Sequence, residues 1–196
     1  LYRENYPNVD NICGDIWEKK DEIIEHWKEK TKEPPFLIYA TPPCQGMSSN
    51  GAGKILREIR DGKRKPEDPR NRLIIPTVEI IKKLRPEWVI LENVSNMKNT
   101  IISDENGEYI NIIEYIYREL GDEYVGCPEV VNCADYGIPQ MRKRLITIFS
   151  RSPRGVEYFK KYGKFMPPQT HYEEETFFAK KWITLRDAIS KLPPLD

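Results

Sequence analysis

The stretch Phe36-Leu37-Ile38-Tyr39-Ala40-Thr41-Pro42-Pro43-Cys44 decides how this chain is interpreted. Its first five residues form an apolar run that predicts a buried strand. The two prolines fix φ near about −65° and remove two backbone donors, so the chain turns stiffly where the strand ends. Open α/β sheets bind ligands at the carboxyl ends of their strands. Cys44 is therefore predicted to lie at a ligand-binding edge, although a lone cysteine is equally compatible with an ordinary loop position until partners are found.

Two later segments also place polar side chains at predicted strand ends. Residues 88–94 are an apolar run that carries Glu92 near its end. Residues 140–144 read Gln-Met-Arg-Lys-Arg and lead into the apolar run 145–149. A thiol, a carboxylate and two arginines are thus expected at one edge of a sheet. The alternative for Glu92 is a carboxylate that only caps the end of a strand. The alternative for the polar residues of 140–144 is that they only face solvent.

Alternating strands and helices predict the fold class as α/β, a Rossmann-like, mostly parallel sheet with helices on both faces. Apolar periodicity predicts helices over residues 21–30, 71–84 and 111–120, with Pro76 confined to a first turn and Gly121 as a terminator. Thr184 and Asp187 have the spacing of a capping box and predict a short helix. Strands are predicted over residues 36–40, 88–91, 130–132 and 145–149. The polar segment 46–69 is long enough to be a lid or a binding loop.

Composition is typical of a globular domain. The 196 residues are 39% hydrophobic and 32% charged, which excludes a disordered chain. No apolar run approaches the roughly 20 residues of a membrane span, so no membrane association is expected. The four cysteines form no C-x-x-C pair, which favours a reducing cytoplasm, and the two histidines lie far apart, so no metal site is expected.

Charge is unevenly distributed although the formal net charge is zero. Residues 54–72 hold eight basic and four acidic side chains, and residues 140–164 hold eight basic side chains and one acidic side chain. Basic segments beside a ligand-binding edge are able to contact phosphates. The alternative for each is a solvated face.

The three motifs together resemble those of the cytosine-C5 DNA methyltransferases, over the whole length of the chain. In that family Pro-Cys-Gln carries the nucleophile, Glu-Asn-Val the acid, and Gln-x-Arg-x-Arg the arginines that hold the base. The resemblance implies that Cys44 attacks C6 of cytosine and that Glu92 protonates N3, since a pocket that excludes water favours the protonated carboxyl group. It implies that Arg144 contacts O2 of the base and that Arg142 lies nearer the DNA backbone.

The resemblance also implies residues that contact a cytosine flipped out of double-stranded DNA. The Pro42 carbonyl would accept from the N4 amino group, and Asn93 would brace the proline turn. The segment after Cys44 would close against the DNA. The implied substrate contacts are Pro42, Gln45, Ser48, Ser49, Asn93 and Gln140.

The cofactor implied by the resemblance is S-adenosyl-L-methionine. Gly14-Asp15-Ile16 resembles the segment that meets the adenine, and Leu73 matches a residue that lines the cofactor pocket. The implied contacts are Asp15, Ile16, Pro43 and Leu73. The glycine-rich turn and the acid that hold the ribose in such folds are not found in the sequence.

We therefore expect residues 1–196 to be part of a catalytic domain whose sheet is incomplete on its amino-terminal side. Residues 1–150 are expected to form the sheet core with the active site, and residues 151–196 to start the connection to a target-recognition region. Missing segments or a second chain would supply that region and the glycine-rich strand, so the 196 residues alone are expected to be inactive.

The implied protein is a prokaryotic, cytoplasmic enzyme of a restriction-modification system. Two alternatives remain at this point. One is an RNA (tRNA) cytosine-5 methyltransferase of the same fold, which would use the same chemistry. The other is a non-catalytic subunit of a split methyltransferase.

Overall fold

A computed structural model describes residues 2–43, 68–174 and 179–193. Its helices are α1 (Tyr2–Asn5), α2 (Ile16–Lys30), α3 (Ile74–Leu84), α4 (Ile112–Leu120), α5 (Pro153–Tyr162) and α6 (Leu185–Ile189). Its strands are β1 (Leu37–Ala40), β2 (Trp88–Val94), β3 (Ile101–Ser103), β4 (Tyr109–Asn111), β5 (Val125–Asn132), β6 (Lys143–Ser150), β7 (His171–Tyr172) and β8 (Lys180–Lys181). Short 3-10 helices span Pro69–Leu73, Ser95–Asn99 and Cys133–Tyr136.

The central sheet has the strand order β1-β2-β6-β5. Strands β1 and β2 are parallel, and β6 is antiparallel to both of its neighbours, so that β5 runs in the same direction as β1 and β2. The predicted α/β class is confirmed. Three of the four strands in this sheet run in one direction, but two of its three pairings are antiparallel because β6 is reversed. The reversal of β6 brings its first residues to the edge of the sheet where β2 ends.

One face of the sheet is covered by helices α3 and α4. Alternate residues of β2 are buried on this face, and Val89 pairs with Phe149 of β6 in the same layer. Helix α3 contributes Ile75, Val78 and Ile81, which are fully buried against this layer. The apolar area buried in this layer stabilises the fold by about 25 cal/mol per Å².

The opposite face is covered only in part by the described residues. Trp88 packs edge-on against Phe165, which follows α5, with ring centroids 5.1 Å apart. Tyr39 on β1 lies on this face as well, and 59% of its surface is exposed. Helices α3 and α4 therefore contact one face, and α5 with the residues that follow it contacts the other, as predicted.

Several predicted boundaries shift for local reasons. Helix α2 begins at Ile16 rather than at residue 21, because the Asp15 side chain accepts from the backbone N–H of Trp17 and caps the helix. The helix predicted over residues 71–84 divides into a 3-10 turn and α3, which leaves Pro76 in the first turn of α3. The capping box at Thr184 is present with both of its hydrogen bonds.

Gly121 ends α4 by a different mechanism from the one predicted. Its φ is −63°, in the ordinary helical region, so no left-handed terminator is formed. A Cβ at this position would lie 2.5 Å from the carbonyl oxygen of Tyr117, so close approach to the backbone is what requires glycine here.

The hairpin of β3 and β4 was not predicted from the sequence. The buried Asp104 carboxylate accepts hydrogen bonds from Arg118 and from the backbone N–H groups of Asn106 and Glu108. These bonds keep the pKa of Asp104 below its usual value, and the bond from Arg118 has the largest effect. Arg72 donates to the carbonyl of Ser103 at 2.9 Å, which fixes the hairpin beside the 3-10 turn.

Gly126 on β5 is predicted to be intolerant of any side chain. A Cβ there would lie 2.8 Å from the Cα of Phe149 and would also clash with the carbonyl oxygen of Ile148. Both obstacles are backbone atoms of the paired strand, which cannot move without breaking the ladder. Gly126→Ala is expected to lower the free energy of unfolding by about 1–3 kcal/mol in urea denaturation.

The matched control is Val130→Ala on the same strand, where 43% of the side chain is exposed. This change is expected to stay within about 0.5 kcal/mol of the parent. Equal effects of the two substitutions would contradict the steric explanation.

Candidate active site

A carboxylate and an arginine meet at the carboxyl edge of β2. The Nε of Arg144 lies 2.7 Å from an Oε of Glu92, and the two side chains are 18% and 24% exposed. Glu92 pairs across the sheet with Ile146, and Arg144 with Val94, so the ion pair joins diagonal neighbours on one face. The two predicted catalytic groups are therefore already in contact.

The next residue on β2 points to the opposite face and holds the proline turn. Asn93 is 3% exposed, and its Nδ2 donates to the carbonyl oxygen of Pro42 at 2.9 Å. Its Oδ1 accepts from the backbone N–H of Val94 at 2.8 Å. This is the contact that the bracing interpretation of Asn93 requires. A carbonyl oxygen has two lone pairs, so Pro42 retains acceptor capacity for a further donor.

The remaining residues of the arginine motif lie before the strand, not in it. Strand β6 begins at Lys143, and Gln140 and Arg142 are exposed in the preceding turn. In the sequence, Gln140 and Arg142 alternate with Arg144, a pattern that predicts one shared strand face. That prediction is wrong for Gln140 and Arg142, because only Arg144 lies in the strand. The backbone N–H of Arg142 donates to the Oδ1 of Asn132, which closes the turn at its base.

The predicted basic segment 140–164 is not one continuous surface at this edge. Arg142 and Lys143, directly before Arg144 in the sequence, are exposed. Arg151 follows the far end of β6 and donates to the carbonyl of Arg85, next to the amino end of β2. Strand β6 crosses the sheet between these two groups, so Arg151 lies at the opposite edge.

Four predicted site residues, Cys44, Gln45, Ser48 and Ser49, lie outside the described residues, as does most of the predicted loop over residues 46–69. The described part of the chain reaches Pro43, directly before Cys44. Among the described cysteines, Cys13 is exposed and Cys127 is partly buried. Burial raises the pKa of the Cys127 thiol, which opposes formation of the thiolate that a nucleophile needs.

A cavity of about 940 Å³ lies between α2, the end of β1 and the start of α3. The predicted cofactor residues Asp15, Ile16, Pro43 and Leu73 all line it, together with Pro42. Asp15 uses one carboxylate oxygen to cap α2 at 2.9 Å from the N–H of Trp17 and is otherwise exposed. From the sequence, only the family resemblance points to these four residues as cofactor contacts. The fold brings them together on the wall of one cavity.

The cavity extends beyond the predicted residues to the far end of α2. There the Asp10 carboxylate forms hydrogen bonds with Lys30 and His26. Both bonds lower the pKa of the Asp10 carboxyl, and the bond from Lys30 has the larger effect. Nothing in the sequence indicates that the apolar residues at this end line a cavity. Two of them, Ile23 and Trp27, lie in the helix predicted over residues 21–30. These lining residues are Val9, Ile12, Ile23, Trp27, Ile38, Ile80 and Leu84.

No group of three metal-ligating side chains is found within residues 2–43, 68–174 and 179–193. None of the helices in these ranges is long and apolar enough to cross a membrane.

The chain folds as an α/β domain with polar side chains gathered at the carboxyl edge of its sheet, and solved methyltransferase structures share this fold. It superposes with a TM-score of 0.61 on a protein described as a DNA modification methyltransferase encoded within a prophage of E. coli, at 22% identity over 99% of this chain and 45% of that one. It also matches the Entamoeba histolytica methyltransferase EhMeth with a TM-score of 0.52, at 20% identity over 78% of this chain and 41% of that one.

The chain belongs to the family of C-5 cytosine-specific DNA methylases, whose family model matches residues 1–193. Type II methyltransferase M1.HgaI of Avibacterium volantium is 35% identical over 74% of this chain and 39% of its own length. Type II methyltransferase M1.HphI of Haemophilus parahaemolyticus is 30% identical over 100% of this chain and 44% of its own length. The chain thus spans less than half of these curated relatives. Methyltransferases of this family generally use S-adenosylmethionine.

Asn93→Ala is expected to release the proline turn. The substitution leaves two partly buried backbone groups, the Pro42 carbonyl and the Val94 N–H, without this side-chain partner. Each unsatisfied group costs about 1–3 kcal/mol, so the free energy of unfolding is expected to fall by at least about 1 kcal/mol.

The control for this variant is Asn99→Ala, which removes a long 3.4 Å contact between exposed amides. Thermal and urea unfolding of the two variants decide between the outcomes. A change at Asn93 no larger than the change at Asn99 would show that the turn does not depend on this hydrogen bond.

Proposed function

We propose that this chain carries the catalytic centre of a DNA (cytosine-5)-methyltransferase of a bacterial restriction-modification system. The substrate would be a cytosine flipped out of double-stranded DNA in the cytoplasm, and the intermediate a covalent adduct with Cys44. The observation that carries the proposal is the 2.7 Å Glu92–Arg144 pair, placed at the same edge as the proline turn that leads into Cys44.

The geometry of this pair suits one edge of a pyrimidine. N3 and O2 of cytosine are adjacent acceptors on the ring. A carboxyl group and a guanidinium that already touch each other match this arrangement, Glu92 toward N3 and Arg144 toward O2. Arg144 also donates through an Nη to the carbonyl of Lys143 at 2.9 Å, which holds the guanidinium in place before a base arrives. Such preorganisation removes much of the entropic barrier of the reaction.

The chemistry assigned to Cys44 balances with these two groups. The thiolate forms a bond to C6, and a proton from Glu92 goes to N3, so that C5 becomes the nucleophilic carbon of an enamine. After C5 has received the methyl group, its proton passes to a water molecule as the thiolate is expelled from C6, which restores the aromatic ring, and the N3 proton returns to Glu92. Arg144 stabilises the negative charge that develops on O2.

The residues of the cavity fit the methyl donor of the family. Ile16, Leu73 and Pro43 offer apolar walls, and Asp15 has carboxylate capacity beyond its capping bond for an amino group of adenine. S-adenosylmethionine supplies the methyl group when it is bound. The expectation that a glycine-rich turn and a target-recognition region lie outside these 196 residues, in the same chain or a second one, stays a prediction.

DNA contacts are proposed for the exposed turn before β6. Gln140 and Arg142 project from this turn next to the ion pair, and Lys143 follows them. Their position suits phosphates on either side of a flipped nucleotide. The same edge is the place where the segment after Cys44 would close.

Cys44 is expected to be trapped by a mechanism-based substrate. The complete enzyme, incubated with S-adenosylmethionine and duplex DNA containing 5-fluorocytosine, should form a covalent adduct, because fluorine at C5 cannot leave as a proton does. Peptide mapping by mass spectrometry should place the adduct on Cys44, and Cys44→Ser should form none.

An adduct on Cys13, Cys127 or Cys133 would overturn the assignment of the nucleophile. A parallel incubation with tRNA containing 5-fluorocytosine separates the two substrate classes. Trapping of tRNA but not of duplex DNA would replace the proposed substrate.

Glu92→Gln and Arg144→Ala are expected to slow methyl transfer in the complete enzyme. The loss of a positioned acid lowers the rate by about 10²–10⁴-fold. We expect single-turnover rates to fall by this amount for Glu92→Gln with little change in DNA affinity. Arg144→Ala should slow transfer and weaken capture of the flipped base.

Lys28→Ala is the control, since Lys28 is exposed on α2 away from the sheet edge. A single-turnover rate of Glu92→Gln near the parent value would exclude the acid role. A rate of Arg144→Ala equal to that of Lys28→Ala would exclude the role in holding the base.

A further inference from the structure

The turn that precedes β6 carries Gln140 and Arg142. It is linked to the carboxyl-terminal part of the chain by Asp135. Asp135 lies in the 3-10 helix Cys133–Tyr136. Its two carboxylate oxygens accept from the Nε1 of Trp182 at 3.0 Å and from the Nε2 of Gln169 at 3.0 Å. Its backbone carbonyl accepts from the N–H of Thr170 at 3.0 Å. These four residues, Asp135, Gln169, Thr170 and Trp182, form what we call the Asp135 clasp.

The clasp is reinforced by contacts on either side of Asp135. The hydroxyl of Tyr136 donates to the carbonyl of Pro167 at 3.2 Å. Gly137 has a φ of 83°, and a Cβ there would lie 2.8 Å from the ring of His171. Glycine is thus required both by the left-handed backbone and by the imidazole that covers it.

The turn is thus held at two points. Asp135 of the clasp lies before Gln140 in the sequence, and the base of the turn is formed at Arg142. At the base, the N–H of Arg142 donates to the Asn132 side chain, and the N–H of Cys133 donates to the carbonyl of Arg142, both at 3.0 Å. Between these points the chain carries Ile138 and Met141, which are 50% and 77% exposed and gain little from packing. Fixing each such residue costs about 1–2 kcal/mol of backbone entropy, so the turn needs an anchor of its own.

We propose that Asp135 is a positioning residue for the arginine motif, acting through the clasp on Gln140 and Arg142, which lie in the turn before Arg144. This rests on the proposed function, because the motif has a catalytic role only if the chain methylates cytosine. Asp135 does not touch the base in this proposal. It holds the turn so that Gln140 and Arg142 meet the substrate without a further ordering step, and a displacement of about 1 Å in such groups costs up to about 10²-fold in rate.

Three substitutions in the complete enzyme separate this role from general stability. Asp135→Ala removes both side-chain bonds of the clasp. Asp135→Asn keeps an oxygen for the Trp182 N–H, and the amide of Gln169 is able to turn its own oxygen toward the new donor. Trp182→Phe removes only the indole donor. Trp88→Phe is the matched control, since Trp88 is a half-buried indole that packs on Phe165 at the amino end of β2.

Hydrogen exchange measured without DNA or cofactor tests the clasp itself. Asp135→Ala is expected to speed exchange of the amides between Cys133 and Arg142 by about tenfold or more, while those of β2 stay protected. Trp182→Phe should have a smaller effect in the same segment, and Asp135→Asn should lie near the parent. Trp88→Phe should leave this segment unchanged.

Single-turnover methyl transfer tests the positioning role. Asp135→Ala is expected to lower the rate by about 10- to 100-fold, with the affinity for S-adenosylhomocysteine within about twofold of the parent, since the cofactor cavity lies on the other side of β2. Asp135→Asn should restore most of the rate. A merely structural residue would change rate and cofactor affinity together.

Two results would overturn the proposal. One is an Asp135→Ala enzyme with the parent rate, and the other is a parallel loss of rate, cofactor affinity and global protection. If the parent enzyme itself transfers no methyl group, the proposed function fails and the positioning role with it. The exchange measurement still shows in that case whether Asp135 holds the turn, so the two failures are distinguishable.

Discussion

The active edge depends on the antiparallel pairing of β6 with β2. In this register Val94 lies opposite Arg144, and Glu92 opposite Ile146. The first residues of β6 therefore meet the last residues of β2, and the guanidinium reaches the carboxylate across the diagonal. If β6 ran parallel to β2, Arg144 would lie near the start of that seven-residue strand, four residues or about 13 Å from Glu92 along the strand. The Glu92–Arg144 pair would then be impossible.

The direction each side chain takes from β2 is set by burial. Val89, Leu91 and Asn93 are buried beneath α3 and α4, so that Glu92, between two of them, must face the other way. A slip of one residue would exchange these two sets. The hydrophobic layer thereby determines which side of the sheet carries the chemistry, and Asn93 is the one polar member of this inward series on β2. It uses that position to hold the Pro42 carbonyl.

The irregular segments on either side of the ion pair are held by side chains rather than by regular structure. Asn93 fixes the turn that follows β1, and the Asp135 clasp fixes the turn that precedes β6. Asn93 donates to a backbone carbonyl, and Asp135 accepts from the indole N–H of Trp182. An arrangement of this kind lets exposed, functional residues be placed accurately without burying them.

The sequence by itself determined the class of fold, the two strands next to which Glu92 and Arg144 lie, and the family, because apolar runs and short motifs are local properties of the chain. The helix caps at Asp15 and Thr184 were also open to prediction, though only the second was anticipated. Tertiary structure alone decided the direction of β6, the gathering of Asp15, Ile16, Pro43 and Leu73 on one cavity, and the link between Asp135 and Trp182. The physical reason is that strand direction and long-range hydrogen bonds depend on which surfaces are buried together. A period of two or of 3.6 residues reports which face of an element is apolar, but not which distant segment covers that face.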